Sequence, residues 1–345
     1  MESLGRGSGG SVVAVRPAKR EASPRRRLAA MAALTVSFLV MGSIVAVQPV
    51  SAQAPAPAAA PAAAGALVTT DWLEKNLESP KLRIVEVSVE PGLFERGHIP
   101  GAQNVVWHTD LVETVDRDIA RPEKFQALAR RLGIDKDTTV VLYGDNNNWF
   151  AAWGAWVFAQ YGLIDNVKLL DGGRKKWEAE KRPLDTRTAE VKPSQFVAQG
   201  TTALRARLAD VVAVAKGERK AKILDIRSPD EFSGKIIAPA GFQELAIRAG
   251  HIPTSVNVPW GRAVNADGTF KPVADLKKIY ADVGVDGSQP IITTCRIGER
   301  SSHTWFLLTR LLGYQAANYD GSWTEYGNTV GVPIANLSGS VWGGK

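Results

Sequence analysis

The stretch from residue 84 to 177 and the stretch from 223 to 323 run through the same order of segments. In the first, Ile84-Val85-Glu86-Val87 leads to Arg96-Gly97-His98-Ile99-Pro100 and then Asn104-Val105. In the second, Ile223-Leu224-Asp225-Ile226 leads to Ala249-Gly250-His251-Ile252-Pro253 and then Asn257-Val258. Thr139-Val140-Val141-Leu142-Tyr143 matches Ile291-Ile292-Thr293-Thr294, and the helical stretch Ala151 to Tyr161 matches Ser302 to Leu312. Leu170-Asp171-Gly172-Gly173 then matches Tyr319-Asp320-Gly321-Ser322, each with a tryptophan after it, Trp177 and Trp323. Short apolar strands alternating with helical segments predict an α/β fold in which helices cover both faces of a parallel sheet. The chain therefore reads as two tandem domains, 67–187 and 203–335, joined by a polar connection at 188–202 and ending in a tail at 336–345. Ser233 to Leu245 has no counterpart in the first half and is expected to form a loop near the second sheet's edge.

The repeat breaks at one position. Aligned without gaps from Gly162 and Gly313, Gly144 falls where the second half has Cys295, the only cysteine in the chain. Asp145 then faces Arg296, followed by Asn146, Asn147 and Asn148. Cys295 closes a strand-like run and opens Cys295-Arg296-Ile297-Gly298-Glu299-Arg300-Ser301-Ser302, ahead of an amphipathic helix. A thiol there meets unpaired backbone N–H groups, the positive end of a helix and two arginines, all of which favour the thiolate. A short loop curling round the sulfur aims its N–H groups inward as an anion site, with Gly298 free to make the turn. Arg296 and Arg300 add fixed positive charge suited to oxyanions. The structural alternative is a small buried hydrophobe, the usual fate of a lone cysteine.

The loop, the duplication and the Gly-His-Ile-Pro segments together resemble the rhodanese family of sulfurtransferases. The match is to the tandem-domain type that uses thiosulfate, over roughly residues 67 to 335. The resemblance implies two rhodanese-like domains, an inactive N-terminal one and a catalytic C-terminal one, with one active site per chain. It implies Cys295 as catalytic nucleophile and Arg296, Ile297, Gly298, Glu299 and Arg300 as the substrate loop. Thiosulfate would give its outer sulfur to Cys295 as a persulfide, and cyanide or a thiol would remove it, with no metal or organic cofactor. Thiosulfate-using members carry basic side chains in this loop, as here, whereas those using 3-mercaptopyruvate carry small neutral ones.

Two departures from the family pattern stand out. Ile297 and Glu299 differ from the best-known thiosulfate loop, and Glu299 is expected to face solvent. Asp225-Ile226-Arg227 fits the family's Asp-x-Arg, but Glu231 occupies the place of a further substrate-gripping arginine, with Arg248 as its substitute. Asp225, Arg227 and Ser301 are supporting residues; Asp225 and Arg227 read equally as a buried ion pair positioning the loop. A phosphatase of the related cell-cycle type would place its arginine six residues after the cysteine, and Arg300 is only five after Cys295. A mercaptopyruvate enzyme and a persulfide carrier without turnover remain the alternatives.

Net charge is +7, but seven Arg or Lys and two acids lie in residues 1–54, leaving 35 basic against 33 acidic residues in the remainder. That balance gives no nucleic-acid face. Arg25-Arg26-Arg27, the uncharged run from Leu28 to Val47 and Val50-Ser51-Ala52-Gln53-Ala54 read as an export signal over 1–54, or as a retained membrane anchor. Either way the folded part is expected outside the cytoplasm, in the periplasm or cell envelope. Residues 55–66 form an Ala/Pro linker. With two pseudo-equivalent domains in one chain, a monomer is expected. Of the four histidines, His98 and His251 recur in both halves and read as turn residues of the fold, and His303 as a surface residue. Trp149, Trp153, Trp156 and Trp305 read as core or inter-domain packing, some of them facing a cleft at Cys295.

Overall fold

β-branched and apolar residues dominate the inner strands Leu82–Glu86, Thr139–Tyr143 and Ile291–Thr294, as parallel strands buried on both faces require. The computed structural model describes residues 65–200, 203–241 and 246–339; the leader, most of the Ala/Pro linker, part of the 233–245 loop and the end of the tail lie outside them. In the first half the strands are β1 (Leu67–Val68), β2 (Leu82–Glu86), β3 (Ala102–Asn104), β4 (Thr139–Tyr143) and β5 (Val167–Leu170). They pair in parallel in the order β1-β5-β4-β2-β3. In the second half β6 (Lys222–Asp225), β7 (Val256–Asn257), β8 (Ile291–Thr294) and β9 (Ala316–Asn318) pair in parallel in the order β7-β6-β8-β9. Arg205 bridges Asn318 where the first half has β1. The predicted duplication is therefore a duplication of topology.

Alternate residues of each strand serve different cores. Val140 and Leu142 face the inner side of the first sheet, and Val141 and Tyr143 face the outer side. In the second sheet Ile291 points inward and Ile292 outward. The outer faces are covered by Leu73 and Trp177 in one half and by Val211, Trp323 and Tyr326 in the other. The inner faces share one core, in which the Trp149–Gln160 helix packs against the Glu299–Phe306 helix. Every residue from Phe150 to Gln160 is buried, so this helix is apolar all round, as befits one enclosed between two sheets. Each large apolar side chain so enclosed contributes roughly 1.5–3 kcal/mol. The tryptophans do sit in packing positions, as the sequence predicts.

Polar contacts tie the halves as well. Arg205 holds Asp320 through two bonds of 2.7 Å and reaches Asp118 of the first half at 2.5 Å. The Phe270 N–H donates to Asp171 at 2.9 Å, and burial pushes that carboxyl up to about 6. His98 and His251 do equivalent jobs. Each stacks on a phenylalanine (Phe94 at 3.8 Å, Phe232 at 3.7 Å) and bonds that residue's carbonyl through Nδ1. They are fold residues, in agreement with their recurrence in both halves.

Gly144 directly follows β4 as Cys295 follows β8. A Cβ at Gly144 would lie 2.2 Å from the Val87 carbonyl oxygen, so the first half has no room for a nucleophile there. Asn146, Asn147 and Asn148 all take positive φ, which asparagine tolerates better than most residues. Gly144→Ala is expected to lower unfolding free energy by about 1–3 kcal/mol through overpacking, read as a lower urea midpoint with an unchanged slope.

Candidate active site

Cys295 sits at the carboxyl end of β8, where ligands of parallel α/β sheets bind. Its N–H donates to the Ser322 hydroxyl at 3.1 Å, and the Gly298 N–H points back at Sγ at 3.1 Å. Gly298 makes that turn with a φ of 101°. A side chain there would meet the Trp153 ring at 2.5 Å and the Asp320 backbone at 2.7 Å. The loop's carbonyls are held in turn: Trp323 N–H donates to Cys295 O, and Thr324 N–H to Arg296 O. Asn318 fastens the rear, its amide donating to Gly298 O (3.2 Å) and Ser302 Oγ (2.9 Å) while Ser301 donates to its carbonyl oxygen (2.6 Å).

The loop closes more tightly than its sequence suggests. Cys295 has no exposed surface, and Arg296, Ile297, Glu299 and Arg300 are all buried. Trp153 of the first half lies against Gly298.

Glu299 does not face solvent. Its Oε2 accepts the Cys295 thiol at 3.4 Å, and its Oε1 lies 3.8 Å from both Arg296 and Arg300. The left-handed turn at Gly298 decides this: it folds the loop back on Cys295 and starts the helix at Glu299, beside the sulfur. The consequence is electrostatic. Burial first, then the Glu299 charge, pushes the thiol up, and Arg300, the Ser301 hydroxyl and the Ser301 N–H pull down without cancelling it. The expectation of a site that favours the thiolate is thereby overturned. It counted the cations and the helix end but neither the burial nor the inward carboxylate.

Arg300 pairs with Glu231 at 3.1 and 3.2 Å while its charge still acts on the sulfur. Burial raises the Glu231 carboxyl, but Arg300, helped by Arg227, outweighs it and holds it below the ordinary range. Where the family pattern has a further arginine, Glu231 thus places a carboxylate that is paired with Arg300. Arg248 is not a substrate grip: its guanidinium donates to the carbonyls of Gly327, Tyr326, Thr329 and Val332 and fastens the C-terminal segment. Asp225 and Arg227 form a buried pair at 2.6 Å, with Arg227 also donating to Gly250 O and lying over Trp323. That is the ion-pair reading of the two residues. His303 is buried, stacked on Phe270 at 4.4 Å, and burial pushes it down to about 3, contrary to the surface position expected.

Sequence reasoning missed Ser322 and Asn318 as builders of this loop, whereas Trp153 packs between the halves as expected. The signal for Ser322 was present, because the repeat has Gly173 at that place. In the first half Asn148 fills the space instead, its carbonyl accepting the Gly144 N–H at 3.0 Å, with Oδ1 2.3 Å from where a Cβ on Gly173 would stand.

The site is thus a buried cysteine in a strand-to-helix loop of the second of two duplicated parallel-sheet domains. The rhodanese-like domain family matches residues 69–180 and 208–329, and the chain belongs to that family. It is 51% identical over 271 residues to a protein of Mycolicibacterium smegmatis named "Putative thiosulfate sulfurtransferase", covering 78% of this chain and 96% of that one. It is 48% identical over 274 residues to "Sulfur carrier protein TtuD" of Thermus thermophilus, with the same coverage. The crystal structure of SseA from Escherichia coli, a 3-mercaptopyruvate sulfotransferase, superimposes with a TM-score of 0.64 at 26% identity, over 75% of this chain and 99% of that one.

The depressed Glu231 carboxyl stabilises the fold above the ordinary glutamate range, and that contribution fades as pH falls through its folded value. Glu231→Gln is expected to cost about 3 kcal/mol near neutrality by stranding Arg300. It should also flatten the acid limb of urea stability measured against pH.

Proposed function

We propose that this protein is a thiosulfate sulfurtransferase whose one nucleophile is Cys295. The carrying observation is the single thiol at the end of β8, held by the Gly298 N–H in a loop with two guanidinium groups. Sγ attacks the outer sulfur of thiosulfate, the S–S bond of thiosulfate breaks, and its electron pair leaves with sulfite. The Gly298 N–H and the charge of Arg300 then offset the charge of the persulfide. Cyanide or a thiol takes the outer sulfur, and the bonding pair returns to Cys295. The first half contributes packing, through Trp153 on Gly298, and no chemistry of its own.

A second reading rests on the carboxylates. Glu299 and Glu231 offset Arg296 and Arg300, so the loop is closer to neutral than a thiosulfate dianion would favour. That favours 3-mercaptopyruvate as donor, or a carrier role such as the name of the Thermus relative states. From the leader we further propose that the protein works outside the cytoplasm.

Intact-mass spectrometry after incubation with thiosulfate separates these readings. The wild type is expected to gain one sulfur atom, lost as thiocyanate on adding cyanide, while Cys295→Ser gains nothing. Gain only from 3-mercaptopyruvate would move the donor assignment, and labelling without turnover would make the protein a carrier.

A further inference from the structure

A buried thiol whose proton is held more tightly than usual cannot attack until something takes that proton. Among the described residues, Glu299 is the one carboxylate within hydrogen-bond reach of Sγ, at 3.4 Å. His303, the nearest imidazole along the chain, is stacked on Phe270 one turn away and is not bonded to the sulfur. Arginines cannot accept a proton.

We propose that the Glu299 carboxylate is the catalytic base that takes the Cys295 proton as the sulfur attacks its donor, and returns it when the acceptor departs. The inference rests on the sulfurtransferase reading above and adds a proton path to it. In the first step the S–H bond breaks and an O–H bond forms on Glu299. The freed electron pair makes the new S–S bond, and the sulfonate–sulfur bond of thiosulfate breaks toward sulfite. Glu299 becomes neutral as the persulfide becomes anionic, so the total charge of site plus donor is unchanged. In the second step cyanide bonds the outer sulfur, the persulfide bond breaks toward Cys295, and Glu299 hands its proton back. No outside oxidant or reductant is needed, because the outer sulfur passes from donor to acceptor as a neutral atom.

The surroundings fit that role. Arg296 and Arg300 both face Oε1, leaving Oε2 toward the thiol. Behind Arg300 stands Glu231 from the Pro229–Ser233 helix, with Arg227 facing it in turn. From the opposite side Asp320 packs on Gly298, but its carboxylate is held by Arg205. The inert half supplies an internal comparison. There Asn148 stands where Glu299 stands, and its side chain is spent capping the Gly144 N–H. In the second half Ser322 takes over that cap on Cys295, which leaves the side chain at 299 free to meet the sulfur.

The test is the pH dependence of single-turnover persulfide formation in wild type, Glu299→Gln and Glu299→Asp. The wild-type rate is expected to vary little from about pH 6 to about pH 9, because the proton passes within the pair. Glu299→Gln should fall about 100-fold near neutrality and recover about tenfold per pH unit, since its thiol must ionise to water. Glu299→Asp should keep the flat profile at a lower rate. Iodoacetamide alkylation of Cys295 needs no sulfur donor and should show the same contrast. If the wild type takes no sulfur from thiosulfate or 3-mercaptopyruvate, the function proposed above fails, and the alkylation profiles still decide the role of Glu299. A Glu299→Gln enzyme with the wild-type profile, one that is faster, or one equally slowed at every pH would overturn the proposal.

Discussion

The close approach of the Trp149–Gln160 helix to the Cys295 loop is the contact on which this architecture turns. Trp153 lies where any side chain on Gly298 would stand, and Gly298 is the residue whose N–H reaches the sulfur. Conformational freedom at one glycine thus serves two demands, a left-handed turn and a tight interface. Because the two inner helices share one core, the loop cannot relax without disturbing both halves. The first half is in this sense part of the wall of the Cys295 loop.

Duplication followed by divergence explains the asymmetry of the two loops. In the first half Gly144 is pressed against the Val87 carbonyl, and three asparagines in left-handed conformations turn the chain. In the second, Cys295, Gly298 and Ser322 rebuild the same crossing around a sulfur atom. The buried ion pairs recur in altered form. Arg174 joins Glu86 and donates to Gly97 O, much as Arg227 joins Asp225 and donates to Gly250 O. Both pairs fix the strand ends behind the loops, a positioning role common to the two halves.

Charge in the loop is balanced rather than simply positive. Two arginines beside a cysteine suggest a strongly electropositive pocket, yet Glu231 and Glu299 answer both of them at close range. Isolated guanidinium groups buried this deeply would carry a large desolvation penalty, and paired carboxylates offset it. Arg300 acts on the sulfur while it is also paired with Glu231, so the protonation state of Cys295 depends on a network of charges and not on its nearest cations alone.

The amino-acid sequence alone determined the duplicated α/β plan, the place of the one cysteine and the emptiness of the equivalent position at Gly144. These follow from local rules, namely strand and helix periodicity, turn residues and the alignment of one half on the other. The turn roles of His98 and His251 were legible for the same reason. Tertiary structure decided what Glu299, Arg300, Arg248 and His303 do, because each answer depends on partners distant in sequence. Glu231 is 69 residues from Arg300, and the carbonyls that hold Arg248 lie about 80 residues away. Burial is likewise a property of the packed whole: the loop that reads as cationic and open becomes buried once two sheets and their helices are pressed together, and there an inward carboxylate outweighs the arginine that opposes it.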